Sequence, residues 1–243
     1  MDTGNGNMIV ARDMVKKFGN FVANDRLNFE VRKGEIFGFL GANGAGKTTA
    51  IRILCGLSRP TSGMISVAGH DVAREAEKIK KSIGYMSQKF SLYEDLKVRE
   101  NFHFYGGIYG MSARKIREKT EELLTKLDLQ DAGNKITSSL PLGWKQKIAF
   151  SIAIMHDPGI VFLDEPTSGV DPVTRRQFWD MIYDAAHEGI TVFVTTHYMD
   201  EAEYCERVSI MVDGRIEALD TPSGLKEQYN ADTMEEVFLQ IAR

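Results

Sequence analysis

Short apolar runs bounded by glycine-rich turns alternate along this chain with stretches whose apolar residues recur every three or four positions. The runs at 8–11, 27–31, 36–40, 82–86, 160–163, 191–195, 208–212 and 215–219 predict strands. After the turn SRPTSG at 58–63, residues 64–67 with Gly69 predict a short hairpin arm. Helical spacing follows Lys47, where Ile51, Ile53 and Leu54 carry the apolar side chains. It recurs at 73–81, 143–155, from Asp171 and Pro172 onward, 223–229 and 233–241. Residues 96–129 are helical throughout, with Val98, Phe102, Tyr105 and Ile108 on one helix and Ile116, Leu123, Leu124 and Leu127 on another, broken near Gly110 and Met111. Strands alternating with helices predict an α/β fold around a mainly parallel sheet. The core takes about 8–95 and 156–243, with an inserted α-helical subdomain at about 96–155. The polar, glycine-rich start, residues 1–7, reads as a flexible tail or linker remnant.

Residues 34–56 read GEIFGFLGANGAGKTTAIRILCG and organise the rest of the chain. A predicted strand enters a glycine-rich turn and then a helix. The turn, Gly41 to Thr49, matches the phosphate-binding pattern G-x-x-x-x-G-K-[ST] in the strand–loop–helix context that the pattern requires. Gly41, Gly44 and Gly46 lack a Cβ, so the backbone can take positive φ and close its N–H groups around an anion, with Asn43 and Ala45 completing the loop. The start of the following helix adds the positive end of its dipole. Lys47 supplies a mobile charge for the β- and γ-phosphates, the Thr48 hydroxyl suits Mg²⁺, and Thr49 ends the motif.

A second constellation lies at 160–172, IVFLDEPTSGVDP. Four apolar residues run straight into Asp164 and Glu165, so both carboxylates emerge at the carboxyl end of a buried strand. The phosphate-binding loop leaves its own strand at that same edge. Asp164 suits Mg²⁺, directly or through water. Glu165, facing the other way, suits polarising a water for attack on a γ-phosphate. His197 ends another strand and can reach the same edge, where one tautomer bonds both the phosphate and the attacking water. His70, His103, His156 and His187 lack such a context and read as surface or packing residues.

Composition narrows the classes of function. With 30 basic and 34 acidic residues, a net charge of -4, no overall basic field points to nucleic acid, and none is expected as a partner. A hydrophobic content of 43% allows a substantial core. The longest apolar runs, 149–155 and 191–194, fall far short of the roughly 20 residues that span a bilayer, and no signal-peptide pattern opens the chain, so it is expected to be soluble by itself. Cys55 and Cys205 have neither metal nor disulfide spacing, which suits a reducing cytosol and small core residues.

Taken in order, these motifs resemble the nucleotide-binding domain of an ABC transporter, over nearly the whole chain from about Met8. The phosphate loop at 41–49 is followed by a glutamine loop at Gln88 and a signature region at 140–147. Then come the acidic strand end at Asp164 and Glu165, a loop at Asp171 and a switch histidine at His197. The resemblance implies a RecA-like P-loop NTPase core with an antiparallel β arm and a helical subdomain, ATP and Mg²⁺ as ligands, and ATP hydrolysis. It implies that two such domains pair head to tail. Each ATP then lies between one phosphate loop and the other domain's signature, here Leu140, Pro141, Leu142, Gly143 and Trp144. Phe18 falls where the family stacks an aromatic ring on adenine, Gln88 where it touches Mg²⁺ and the attacking water, and Asp171 in a loop that crosses the dimer. The segments SQKFSLYEDLKVRENFHFYGGIYG, LPLGWKQK and TMEEVFLQIAR resemble ATPases of ABC-2 type exporters, including drug-efflux systems. That implies transmembrane permease partners and a peripheral position on the cytoplasmic side of the inner membrane; exposed Phe90, Leu92 and Tyr93 would suit contact with a coupling helix, and ordinary helical-lobe core is the other reading.

The signature departs from the family's Leu-Ser-Gly-Gly-Gln, because Pro141 removes both a hydroxyl and an N–H. Proline is tolerated in a first helical turn, so the helix start and the Gly143 amide can still face a γ-phosphate. Two readings stand side by side: a weakened but usable signature, or a neutral subfamily spelling in which Trp144 fills the interface between lobes. Two other classes of function are weighed. A soluble ATPase of ribosomes or DNA would normally carry tandem domains with a charged linker or a long coiled-coil insertion, and neither is seen. A P-loop kinase fits poorly with Glu165 beside Asp164, His197 and the signature-like region, which argue for water as the acceptor.

Overall fold

In the computed structural model, which describes residues 6–88 and 92–242, side-chain alternation along the central strands sets the layers. A long hairpin of β1 (Asn7–Phe18) and β2 (Phe21–Arg32) precedes β3 (Ile36–Gly41), which feeds α1 (Lys47–Leu54). Next come β4 (Ser62–Val67), β5 (His70–Asp71), α2 (Ala76–Ser82) and β6 (Ile83–Met86). The helical lobe holds α3 (Val98–Ile108), α4 (Ala113–Lys126) and α5 (Leu142–Ile154). The core resumes with β7 (Ile160–Asp164), α6 (Pro172–His187), β8 (Thr191–Thr196), β9 (Arg207–Val212), β10 (Arg215–Asp220), α7 (Pro222–Gln228) and α8 (Met234–Ile241).

Two sheets result. The arm has the order β2-β1-β4-β5 and is antiparallel; the central sheet has the order β10-β9-β3-β8-β7-β6 and is parallel except for the β9–β10 pair. Phe37, Phe39 and Phe193 leave one face of the central sheet and meet Phe29 of the arm, with ring centroids between 5.6 and 6.2 Å apart, and Phe162 packs on Phe193 at 5.4 Å. Ile51, Ile53 and Leu54 of α1 belong to that same cluster. Leu40, Val161, Leu163, Val192 and Val194 leave the other face and join a cluster shared with Phe102, Ile116, Leu124 and Phe150 of the helical lobe. Burial of each large side chain is worth roughly 1.5–3 kcal/mol, so the two clusters fasten arm and helical lobe to opposite faces of one sheet. The α/β core, β arm and helical lobe read from the sequence are all present. Among the described residues, no helix is long and apolar enough to cross a membrane.

Several local expectations change. The first two strands run well past 8–11 and 27–31, because register shifts between Ala11 and Met14 interrupt the alternation by which a strand is recognised. Asn7 pairs with Arg32, and the Lys33 amide donates to Gly6 O, so residues 6 and 7 belong to the arm and not to a tail. Ile108 is 61% exposed and lies off the buried face of α3. Leu92 is buried, while Tyr93 is exposed; Phe90 lies outside the described residues. Cys55 and Cys205 are both buried and free, as small core residues.

The lobes meet where α5 passes β6. A Cβ on Gly84 would lie 2.1 Å from Ala153 O, so only glycine admits this approach. Just beyond α5, His156 Nε2 lies 3.1 Å from Ile83 O, and its ring stacks on Tyr109 with centroids 3.6 Å apart. Burial pulls the His156 pKa down to about 4. The folded chain therefore holds this ring neutral, while the unfolded chain protonates it near pH 6.5, so stability falls as pH drops through the window between those values. We expect this group to remove up to about 2 kcal/mol between pH 7 and pH 5. Thermal melting at the two pH values should show a smaller loss for His156→Gln than for the wild type; equal losses would contradict the assignment.

Candidate functional site

Parallel register delivers the chemistry to one edge. Asp164 pairs with Thr195 across β7 and β8, and Leu40 pairs with Thr196 across β3 and β8, so Gly41, Asp164 and the segment entering His197 end level. Asp164 and Thr195 continue the parity of Phe162 and Phe193 and so face α1. The Thr195 hydroxyl donates to Asp164 Oδ1 at 2.7 Å and accepts from the Glu165 amide at 3.1 Å. Thr48, in the first turn of α1, brings its hydroxyl to 3.5 Å from the same Asp164 oxygen. Burial raises the Asp164 pKa, against the lowering effect of the Thr195 hydroxyl.

The loop between β3 and α1 is shaped by its neighbours as well as by φ. Gly46 has φ 103°, and a Cβ there would lie 2.3 Å from Ala23 O; a Cβ on Gly41 would lie 2.4 Å from Met211 O. Gly44, at φ 85°, meets nothing within 4 Å and is required by its backbone conformation alone. The helix start at Gly46 has no side-chain cap and no acidic residue in its first turn, which leaves its amides to an external anion. Asn24, fully buried on β2, donates from Nδ2 to Gly46 O at 3.2 Å and ties the arm to the loop.

Lys47 is buried, and its Nζ donates to Gly41 O at 2.7 Å and Ala42 O at 3.1 Å. Desolvation lowers its pKa, opposed by Glu165 and Asp164. Glu165 Oε1 lies 3.6 Å from that ammonium. Oε2 accepts from Gln88 Nε2 at 2.9 Å and lies 3.1 Å from His197 Nδ1. Glu165 itself has φ 50°, a left-handed conformation uncommon for a residue with a side chain, which turns its carboxylate out of the strand's alternation. A cavity of about 290 Å³ runs from Asn43 to Thr49, with Ala45 outside its lining, and across to Gln88 and Glu165.

Of the residues singled out in the sequence, the phosphate loop, Gln88, Asp164, Glu165 and His197 are therefore brought together. The others stand apart. Phe18 does not line the cavity; its ring is 55% exposed, with Lys16 Nζ 4.9 Å from its centroid. Leu140 is buried, whereas Pro141, Leu142 and Trp144 are exposed at the start of α5. Gly143 packs against α6, where a Cβ would lie 2.4 Å from Thr174 Cγ2, and Gln146 Nε2 donates to Ser168 O at 3.2 Å. Asp171 caps α6, accepting from the Val173 and Thr174 amides at 3.0 Å and from the Thr174 hydroxyl at 2.6 Å, and the hydroxyl bond is the main cause of its lowered pKa. Thr195 and Asn24 carried no motif; only the register and the packing of the arm expose their roles.

The donor set fits a hard cation. Thr48 and Asp164 offer a hydroxyl and a carboxylate within reach of one another. No group of three or more His, Cys, Asp or Glu suited to a metal occurs among the described residues. One carboxylate and a hydroxyl beside a phosphate loop suit Mg²⁺, which is held through substrate phosphates and water more than by a protein cage.

A profile described as ABC transporter matches residues 24–168, more than half of the chain. The chain is 47% identical over 239 residues to the probable multidrug ABC transporter ATP-binding protein YbhF of Escherichia coli, covering 96% of this chain and 41% of the relative, so it spans about two fifths of that protein. A daunorubicin resistance ATP-binding protein of Streptomyces coeruleorubidus is 38% identical over 223 residues, 91% of this chain and 71% of the relative. Among solved structures, a dimeric ATP-binding cassette in a post-hydrolysis state with ADP and phosphate superposes with a TM-score of 0.79 at 25% identity, over 88% of this chain and 98% of that one. By its profile, its relatives and its P-loop α/β architecture, this chain belongs to the ABC transporter family.

Proposed function

We propose that this chain binds and hydrolyses ATP, closing head to tail with a second nucleotide-binding domain to power export through ABC-2 type permease subunits at the cytoplasmic face of the membrane. The observation that carries the reading is the meeting of Lys47, Gln88 and His197 on the one carboxylate of Glu165, beside an uncapped helix start. Names of relatives that specify multidrug transport and daunorubicin resistance support export, and the dimeric cassette supports pairing.

In this mechanism the loop amides and the α1 dipole receive the β-phosphate, and Lys47 Nζ turns from the Gly41 and Ala42 carbonyls toward the β- and γ-phosphates. Phe18 stacks on adenine. Thr48, Asp164 and Gln88 would hold Mg²⁺, which would supply positive charge to balance the phosphates. Glu165 accepts the proton of the attacking water, Gln88 orients that water, and His197 holds Glu165 in place beside the γ-phosphate. Leu140, Pro141, Leu142, Gly143 and Trp144 meet the partner's γ-phosphate through the α5 helix start, and Asp171 crosses the dimer. Tyr93 and Phe104, exposed and in edge contact at 4.8 Å, form a ready contact surface for the permease.

Glu165→Gln should keep ATP affinity while slowing hydrolysis at least ~10²-fold, the scale of a general base; near-wild-type phosphate release would remove Glu165 from that role. Lys47→Ala should instead weaken ATP binding roughly 10- to 100-fold, as loss of hydrogen bonds to a charged group does. Unchanged affinity by equilibrium binding would undercut the reading of the loop. Pro141 heads α5 with no side-chain cap. Replacing Pro141 by Ser and Leu142 by Gly should raise turnover roughly 10-fold by restoring a donor to the phosphate, and an unchanged or lower rate would favour the neutral spelling.

A further inference from the structure

Behind the Glu165–His197 contact lies a second tie across the same gap. Glu201, in a short helical turn (Met199–Tyr204) that follows His197, is fully buried. Its Oε1 accepts from the hydroxyl of Thr167, two residues beyond Glu165. The Nε of Arg175, on the first turns of α6, lies 3.6 Å from the same oxygen. Among the described residues, Glu201 Oε2 and Arg175 Nε have no hydrogen-bond partner, although both are buried. The Arg175 guanidinium also stacks 4.2 Å from the centroid of Tyr198, whose ring lies 4.2 Å from that of His197. The Arg175 amide donates to Asp171 O at 3.0 Å, and the Glu201 amide to Tyr198 O at 3.2 Å.

We propose that Glu201 and Arg175 are positioning residues: together with Thr167 they set His197 against Glu165 and transmit displacement of the Asp171 loop to that histidine. The inference rests on the proposed hydrolytic role of Glu165 and His197. Stability alone explains the arrangement poorly, since a buried carboxylate facing a guanidinium gains little over apolar side chains of similar size, and here one oxygen of the pair has no hydrogen bond among the described residues. Location explains it better. The two ties, Glu165–His197 and Thr167–Glu201, join the same two segments, and the second is anchored to α6 by the one side chain that also stacks beneath His197's neighbour. Any shift of the Asp171 loop moves the start of α6, hence Arg175, hence Tyr198 and His197. An arrangement that depends on packed contacts and one incompletely closed ion pair has room for two discrete positions.

The test uses the whole chain with three readouts: steady-state ATP turnover, equilibrium ATP binding, and the NMR ring-proton shifts of His197. Glu201→Gln keeps an acceptor for Thr167 but removes the charge facing Arg175. We expect it to lower kcat about tenfold, a fraction of the factor a general base supplies, with the ATP Kd unchanged within twofold and the His197 ring signals displaced. Arg175→Ala should do the same, and Arg175→Lys should recover part of the rate. Thr167→Val is the milder variant should Glu201→Gln not fold, and is expected to move the His197 signals in the same direction. Wild-type turnover in both Glu201→Gln and Arg175→Ala would overturn the proposal, as would lost turnover that follows a lost melting temperature while the His197 signals stay in place. A wild-type chain that binds but never hydrolyses ATP would instead count against the hydrolytic reading, and the His197 signals would still decide whether Glu201 positions that ring.

Discussion

The parallel pairing of β7 with β8 is the constraint on which the rest of the site depends. It sets Asp164 opposite Thr195, and a single hydroxyl then binds the Asp164 carboxylate and receives the Glu165 amide. A slip of one residue would send Asp164 to the face of the helical lobe and Glu165 toward α1. The two faces of the sheet oppose such a slip, because Phe162 and Phe193 fill the cluster on the arm side while Leu163 and Val194 fill the other. Packing far from the chemistry therefore fixes the chemistry.

Charge is balanced within that frame. Lys47 and Glu165 are both buried, with the ammonium 3.6 Å from the carboxyl group. Desolvation lowers the lysine's pKa and raises that of Asp164, each pushed toward its neutral form and each held back by its neighbours. In the proposed mechanism, incoming phosphates compete with the Gly41 and Ala42 carbonyls for the ammonium, and Glu165 is then left with Gln88 and His197.

What was legible in the sequence was whatever chemistry is written locally. The loop from Gly41 to Thr49 announces itself within nine consecutive residues, and Asp164 and Glu165 stand directly after an apolar run; the register of β3, β7 and β8 brings both to one sheet edge. Contacts between segments were less legible: that Gln88 bonds Glu165, or that Lys47 sits 3.6 Å from it, depends on register and not on spelling. Gly41 and Gly46 were read as making room for an anion, yet main-chain carbonyls of β2 and β9 already exclude a side chain there. Leu92 and Tyr93 admit both a surface-contact and a core reading, and the structure divides them, Leu92 to the core and Tyr93 to the surface, because two adjacent residues carry no period. Thr195, Asn24 and Glu201 are common residue types with no motif around them, and only the fold gives them partners.

By the proposed function, one chain holds half of each hydrolytic site, with its phosphate loop and Glu165 on one surface and the α5 start on another. The most direct measurement is specific ATPase activity of the purified chain across a range of concentrations, with sedimentation recording its association state. The account predicts that activity per chain rises with concentration as the second copy supplies Gly143 and its neighbours. Activity per chain that stays constant down to concentrations at which the chain sediments as a monomer would contradict it.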